Sequence, residues 1–175
     1  MKTSGRSGAK RPRPKRERSR SGKKRAPITL IVEEREWQRD PRALSLIRRA
    51  VREALAKSRR PRALTILLSD DAHLKELNGL FRGAPKPTNV LSFPAGAADY
   101  LGDVAIAYGV ALREARAEGK SFAAHAAHLA VHGVLHLLGY DHEKTSEAAV
   151  MEALEARILA RIGIADPYTR AREAA

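Results

Sequence analysis

Three histidines stand in one eleven-residue stretch, His132-Gly133-Val134-Leu135-His136-Leu137-Leu138-Gly139-Tyr140-Asp141-His142. On a helix, His132 and His136 are one turn apart, so their rings share a face and can share one cation. Gly139 is the natural stop for that helix, because glycine enters the left-handed region at little cost. Past the stop the chain can turn back and bring His142 towards the first two. Three imidazoles with one position left open is the composition of a catalytic zinc site rather than a closed structural one. The plain alternative is a row of helix histidines with satisfied hydrogen bonds.

His125 and His128 precede the motif on the same predicted helix. At about 1.5 Å rise per residue, His128 and His136 stand roughly 12 Å apart, and His125 and His136 roughly 16 Å. A zinc–nitrogen bond is only about 2 Å. No three histidines of that row converge on one ion, so the third ligand must come from off the helix, and His142 fits. The spacing also matches the metzincin protease pattern H-E-x-x-H-x-x-G-x-x-H. Those enzymes use the Glu after the first His as general base. Gly133 stands there in this chain, so peptide hydrolysis lacks its base.

The elements that must position these residues can be read in order. Ile28 to Val32 is apolar and β-branched and reads as a strand. Asp40 caps a helix with Pro41 at its first position. Leu44, Ile47, Val51, Ala54 and Leu55 keep helical spacing there, with Arg42, Arg48, Arg49, Arg52 and Glu53 on the outer side. Ala63 to Leu68 is a second strand. Ser69-Asp70-Asp71 caps a helix to about Phe81, with acids in its first turn. Asn89 to Phe93 reads as a third strand ended by Pro94, and a fourth lies around 100–107. A helix over 109–118 ends at Gly119, and Ser121 starts the long histidine helix. A last helix runs from Glu147 to Ile162, with Val150, Leu154, Ile158 and Leu159 facing inward. The order predicts an α+β domain: a small mixed four-stranded sheet packed with about five helices, the metal site at the end of the long central helix.

Composition bounds the rest. At 175 residues and 43% hydrophobic, the chain supports one domain with a core rather than two. There is no cysteine, so disulfides and cysteine-based zinc sites are excluded. No apolar run approaches the roughly 20 residues that span a bilayer, and the start leads into no hydrophobic signal core. A cytoplasmic protein with no membrane partner is expected. The net charge is +13, but residues 1–26 alone carry twelve basic residues against Glu17, and the remainder carries only +2. That Arg-, Lys-, Ser- and Pro-rich segment predicts a disordered tail over 1–26, a domain over 27–165 and a C-terminal tail over 166–175. Three uses fit the basic tail: phosphate contacts on RNA or a ribosome, plain solvation, or less readily an organellar transit peptide.

The histidine stretch closely resembles the signature of the YbeY family, bacterial rRNA maturation factors described as single-strand-specific, metal-dependent endoribonucleases. Two further blocks agree. Leu77-Asn78-Gly79-Leu80-Phe81-Arg82 with Lys86-Pro87-Thr88-Asn89-Val90-Leu91-Ser92-Phe93-Pro94 resembles the family's L-N-x-x-x-R and P-T-D-V-L-S-F-P run, and Leu101-Gly102-Asp103-Val104-Ala105-Ile106 its L-G-D-I strand. The likeness covers about residues 27–163. It departs at Asn89, where the family usually has Asp.

The resemblance implies an endoribonuclease acting in 16S rRNA 3′-end maturation and ribosome quality control, with one zinc on His132, His136 and His142. It implies catalytic roles for Arg82 and His132, and RNA, the 30S or 70S ribosome and a ribosomal protein as partners. Chemistry agrees with it. Zinc lowers the pKa of water, and a guanidinium suits phosphate oxygens through its forked donors. Lys86 is placed to hold a flanking phosphate, and Thr88, Asn89 and Ser92 to bond ribose or phosphate. The bland alternatives are solvated helix ends for Arg82 and Lys86, and backbone satisfaction for Asn89 and Ser92. Asp141 either orients a ligating imidazole from behind or caps the turn after Gly139. Tyr140 reads as packing, and Asp103 as a bond near the site or a strand end. A non-catalytic, zinc-stabilised assembly factor and a zinc hydrolase of another substrate are the rival readings.

Overall fold

Two strands rich in apolar residues, β2 (Ala63–Ser69) and β4 (Tyr100–Ala107), occupy the middle of a four-stranded sheet. The outer strands are β1 (Ile28–Val32) and β3 (Val90–Pro94), in the order β1-β2-β4-β3. β1, β2 and β4 run parallel, while β3 pairs antiparallel with β4, Ser92 lying opposite Val104. This is a computed structural model, and it describes residues 27–56, 58, 62–141 and 144–169. The basic segment 1–26, His142 and residues 170–175 lie outside the described residues.

The helices are α1 (Pro41–Leu55), α2 (Asp71–Arg82), α3 (Tyr108–Ala117), α4 (Phe122–Leu137) and α5 (Thr145–Ala160). Cap chemistry sets three of their starts. Asp40, Asp70 and Ser121 each accept a backbone N–H three residues on, at 3.0, 2.8 and 3.3 Å. Strand alternation then divides the molecule. Leu64, Ile66, Leu68, Val104 and Ile106 join α1, α4 and α5 in the main core. Leu67, Leu91, Ala105 and Phe93 face α2 through Leu74 and Leu77.

The sheet, the five helices and the element order agree with the sequence, each element within two residues of its expected bounds. Two details differ. A 3-10 helix, Arg35–Arg39, carries too few residues to show a period. Its anchor is Trp37, fully buried, with Nε1 donating to the Ser69 carbonyl at 3.2 Å. Val150 does not face inward but is 56% exposed. The inward stripe of α5 is Met151, Leu154, Glu155, Ile158 and Leu159, and Val150 sits about 100° of helical turn from its centre.

Candidate functional site

α4 lies at the centre of the fold, with eleven of its sixteen residues buried. It approaches the sheet through small residues. A Cβ on Gly133 would lie 2.5 Å from Val104 Cγ1 and 3.1 Å from Ser92 Oγ. The Ser92 hydroxyl donates to the Gly133 carbonyl at 3.1 Å, locking β3 to α4 beside His132. The helix ends as its glycine predicts. Gly139 has φ 91°, its N–H donates to the His136 carbonyl at 2.9 Å, and the Tyr140 N–H donates to Leu135 at 3.0 Å. This pair of bonds is the Schellman arrangement. Tyr140 packs against the main core, as expected.

His132 and His136 come together as their spacing predicts, with Nε2 atoms 3.1 Å apart and ring centroids 4.6 Å apart. His132 Nδ1 lies 2.8 Å from Oε1 of Glu155 on α5. An ionised carboxylate has no hydrogen to give, so Nδ1 is the donor. In the neutral ring Nε2 then carries a lone pair, directed at His136. Two imidazole nitrogens 3.1 Å apart lie within reach of one cation bound at about 2.0–2.1 Å from each. The donor set therefore fits zinc, with Glu155 as the carboxylate behind the ligand. Among the described residues, no three His, Cys, Asp or Glu side chains group as a metal site. The third expected ligand, His142, lies outside them, and Asp141 beside it is exposed.

Glu155 is fully buried, and its second oxygen accepts from His128 Nε2 at 2.8 Å and from the Tyr168 hydroxyl. Burial pushes this carboxyl up, but the hydrogen bonds from His128 and His132 outweigh it and hold the pKa at about 2. Burial and the adjacent carboxylate push the Tyr168 hydroxyl up. Tyr168 and Pro167, whose carbonyl accepts from Lys120 Nζ at 2.8 Å, tie the segment after α5 to the body. His125 is bonded to Glu114 at 2.9 Å. Both histidines upstream of the motif are thus held by carboxylates of neighbouring helices. Glu155 was missed in the sequence. Its one signal there is an acid set at helical spacing among Met151, Leu154, Ile158 and Leu159.

The remaining predicted residues follow the edge strand. Arg82 ends α2 on the far face of the sheet and is exposed, as is Lys86, while Thr88 is half-buried. Asn89 and Ser92 have their polar atoms engaged within the protein. Asn89 Nδ2 donates to both Glu114 oxygens at 3.0 and 3.1 Å, its Oδ1 accepts from the Val90 N–H at 2.7 Å, and Ser92 is buried against α4. Asp103 accepts from the Tyr100 hydroxyl at 2.5 Å within the sheet.

The family described as Endoribonuclease YbeY matches residues 31–163. A protein of Rhodopseudomonas palustris named endoribonuclease YbeY is 49% identical over 154 residues, 81% of each chain. One of that name from a Chelativorans species is 45% identical over 150 residues, 81% of this chain and 92% of its own. The solution structure of TM1509 from Thermotoga maritima shares the fold, with a TM-score of 0.57 over 84% of this chain and 93% of that one at 24% identity. With the family match running from the first strand through the last helix, the chain belongs to the YbeY endoribonuclease family.

Proposed function

We propose that this chain is a zinc-dependent endoribonuclease of single-stranded RNA, acting in the cytoplasm in 16S rRNA 3′-end maturation and ribosome quality control. Family membership supports the nuclease reading. The observation that carries the metal is the pair of imidazole nitrogens 3.1 Å apart, one of them on a ring braced by a buried carboxylate. His132, His136 and His142 would hold the ion, and when bound it supplies Lewis acidity and lowers the pKa of water.

The chain's own residues supply the rest. Glu155 fixes the tautomer and orientation of His132. Arg82, exposed at the end of α2, offers forked donors to phosphate oxygens as negative charge builds on them. Lys86 and Thr88 contact flanking phosphate or ribose. Asn89 and Ser92 act on RNA only indirectly, by fixing β3 and its loop. A ribosomal surface, RNA and a ribosomal protein together, is the proposed setting.

The test is metal content by mass spectrometry beside RNA cleavage, on the wild type and on His136→Ala, His142→Ala and Arg82→Ala. Zinc at about one per chain, lost with cleavage in both histidine variants, is expected. Arg82→Ala is expected to keep its zinc and lose cleavage. A metal-free protein that cuts RNA as well as the wild type overturns the metal reading; Arg82→Ala at full activity overturns the role of the arginine.

A further inference from the structure

Leu80 and Phe81 stand on the surface of α2, 72% and 65% exposed. Phe81 is nonetheless held. Its ring meets Phe93 of β3 edge-on, with centroids 5.0 Å apart and planes at 65°. An edge contact of this kind fixes the ring and leaves a π-face open to solvent.

The loop after α2 is folded back against Asn78 and Gly79 of that helix. Buried Asn78 donates Nδ2 to the Lys86 carbonyl at 3.0 Å, and the Ala84 N–H donates to the Asn78 carbonyl at 3.3 Å. Pro85 packs so closely that a Cβ on Gly79 would lie 3.3 Å from its own Cβ. The position of Lys86 relative to α2 is therefore set by a buried amide. Arg82, next to Phe81, and Lys86 are both exposed, and neither is paired with a carboxylate among the described residues.

An open aromatic face with two exposed cations close to it in the chain matches single-stranded nucleic acid, with a base on the ring and phosphates on the charges. A purely apolar partner would leave both cations desolvated and unpaired. The patch and the histidine site lie on opposite faces of the sheet and are joined through edge strand β3. Phe93 and Ser92 are neighbours on edge strand β3 and point to opposite faces, Phe93 towards Phe81 and Ser92 towards Gly133 beside His132.

We propose that Phe81 is a stacking platform for one base of single-stranded RNA, with Arg82 and Lys86 receiving phosphates along the same strand. This rests on the endoribonuclease reading and adds a subsite to it. Every base has a π-face, so the platform tolerates any sequence while requiring an unpaired base.

The experiment is fluorescence anisotropy of a labelled ten-uridine RNA titrated with the full chain, beside the same strand with its bases removed. Phe81→Ala is expected to weaken binding of the uridine strand about 5- to 100-fold and to leave the abasic strand unchanged. Phe81→Leu keeps an apolar side chain but no ring and is expected to match Ala, while Phe81→Trp restores binding. Thermal midpoints of the variants near that of the wild type are expected, since the ring is largely exposed. Undiminished binding by Phe81→Ala, wild-type binding by Phe81→Leu, or an equal loss on the abasic strand overturns the platform. Loss of binding to a ribosomal protein with RNA binding intact also overturns it and assigns the patch to protein. A wild-type chain that neither binds nor cuts RNA fells the endoribonuclease reading itself, an outcome visible before any variant is compared.

Discussion

The Nδ1 of His132 donates to the carboxylate of Glu155 across 2.8 Å, from α4 to α5. The same carboxylate, fully buried, also collects His128 and Tyr168. A buried anion of this kind survives only because three donors surround it. One side chain thereby joins two helices and the segment after them to the ring that faces His136.

Glu155→Gln keeps the shape and removes the charge. An amide can accept on one end only, so one of the histidines meets an N–H instead of a lone pair. Zinc affinity, measured by competition with a chromophoric chelator, is expected to fall about 10- to 100-fold. The thermal midpoint of the metal-free protein is expected to fall as well. An unchanged zinc affinity would mean that Glu155 supports the helices but does not orient the ligand.

Gly133 occupies the place where zinc proteases with this spacing carry their base, and the reason lies in the sheet. A methyl there would lie 2.5 Å from a side-chain carbon of Val104, a fully buried residue on central strand β4. Gly133→Ala is expected to cost about 1–3 kcal/mol by overpacking. A domain of this size loses about 2–4 °C of midpoint per kcal/mol. A variant as stable as the wild type would show that α4 can lift from the sheet freely.

These contrasts show what was legible in the sequence. Helix starts were readable because a cap is local: Asp40, Asp70 and Ser121 bond the backbone three residues on. The histidine pair was readable because helical period alone brings His132 and His136 together. Glu155 was not, because it meets His132 from 23 residues away, through an α4–α5 packing register that no local period encodes. Val150 was misplaced for a related reason. α5 scatters its charged residues, Glu147, Glu152, Glu155 and Arg157, around the helix, so its sequence does not say which stripe turns inward. The roles of Asn89 and Ser92 likewise depended on partners in α3 and α4.

Ser92→Ala separates a structural hydroxyl from a substrate contact. Ser92 is buried, and its hydroxyl bonds the Gly133 carbonyl at 3.1 Å. Its removal is expected to lower stability by about 1 kcal/mol, read by chemical denaturation, and to leave KM for RNA unchanged. Lys86→Ala, at an exposed cation, is expected to do the reverse and raise KM with stability intact. A KM that rises in Ser92→Ala without loss of stability would return the hydroxyl to the substrate.

Asn89 is where the chain departs from the family run, and its amide answers a local charge. Nδ2 donates to both oxygens of Glu114 at 3.0 and 3.1 Å, and Glu114 also takes His125 from α4. Aspartate at this position would set one carboxylate against another at that distance, where two anions disfavour joint ionisation. Asn89→Asp is therefore expected to destabilise the chain at pH 7 by about 1–3 kcal/mol, combining repulsion with a lost hydrogen bond. The sign with pH follows. Repulsion raises the folded-state pKa of the pair, so the defect is greatest at neutral pH and shrinks as pH falls towards about 4, where one carboxyl takes up a proton. Glu114→Gln in the same chain removes the repulsion, and the double variant is expected to recover most of the loss. Thermal denaturation of the four proteins in this cycle gives the coupling directly. Strict additivity would mean that the amide at residue 89 was never needed to accommodate Glu114.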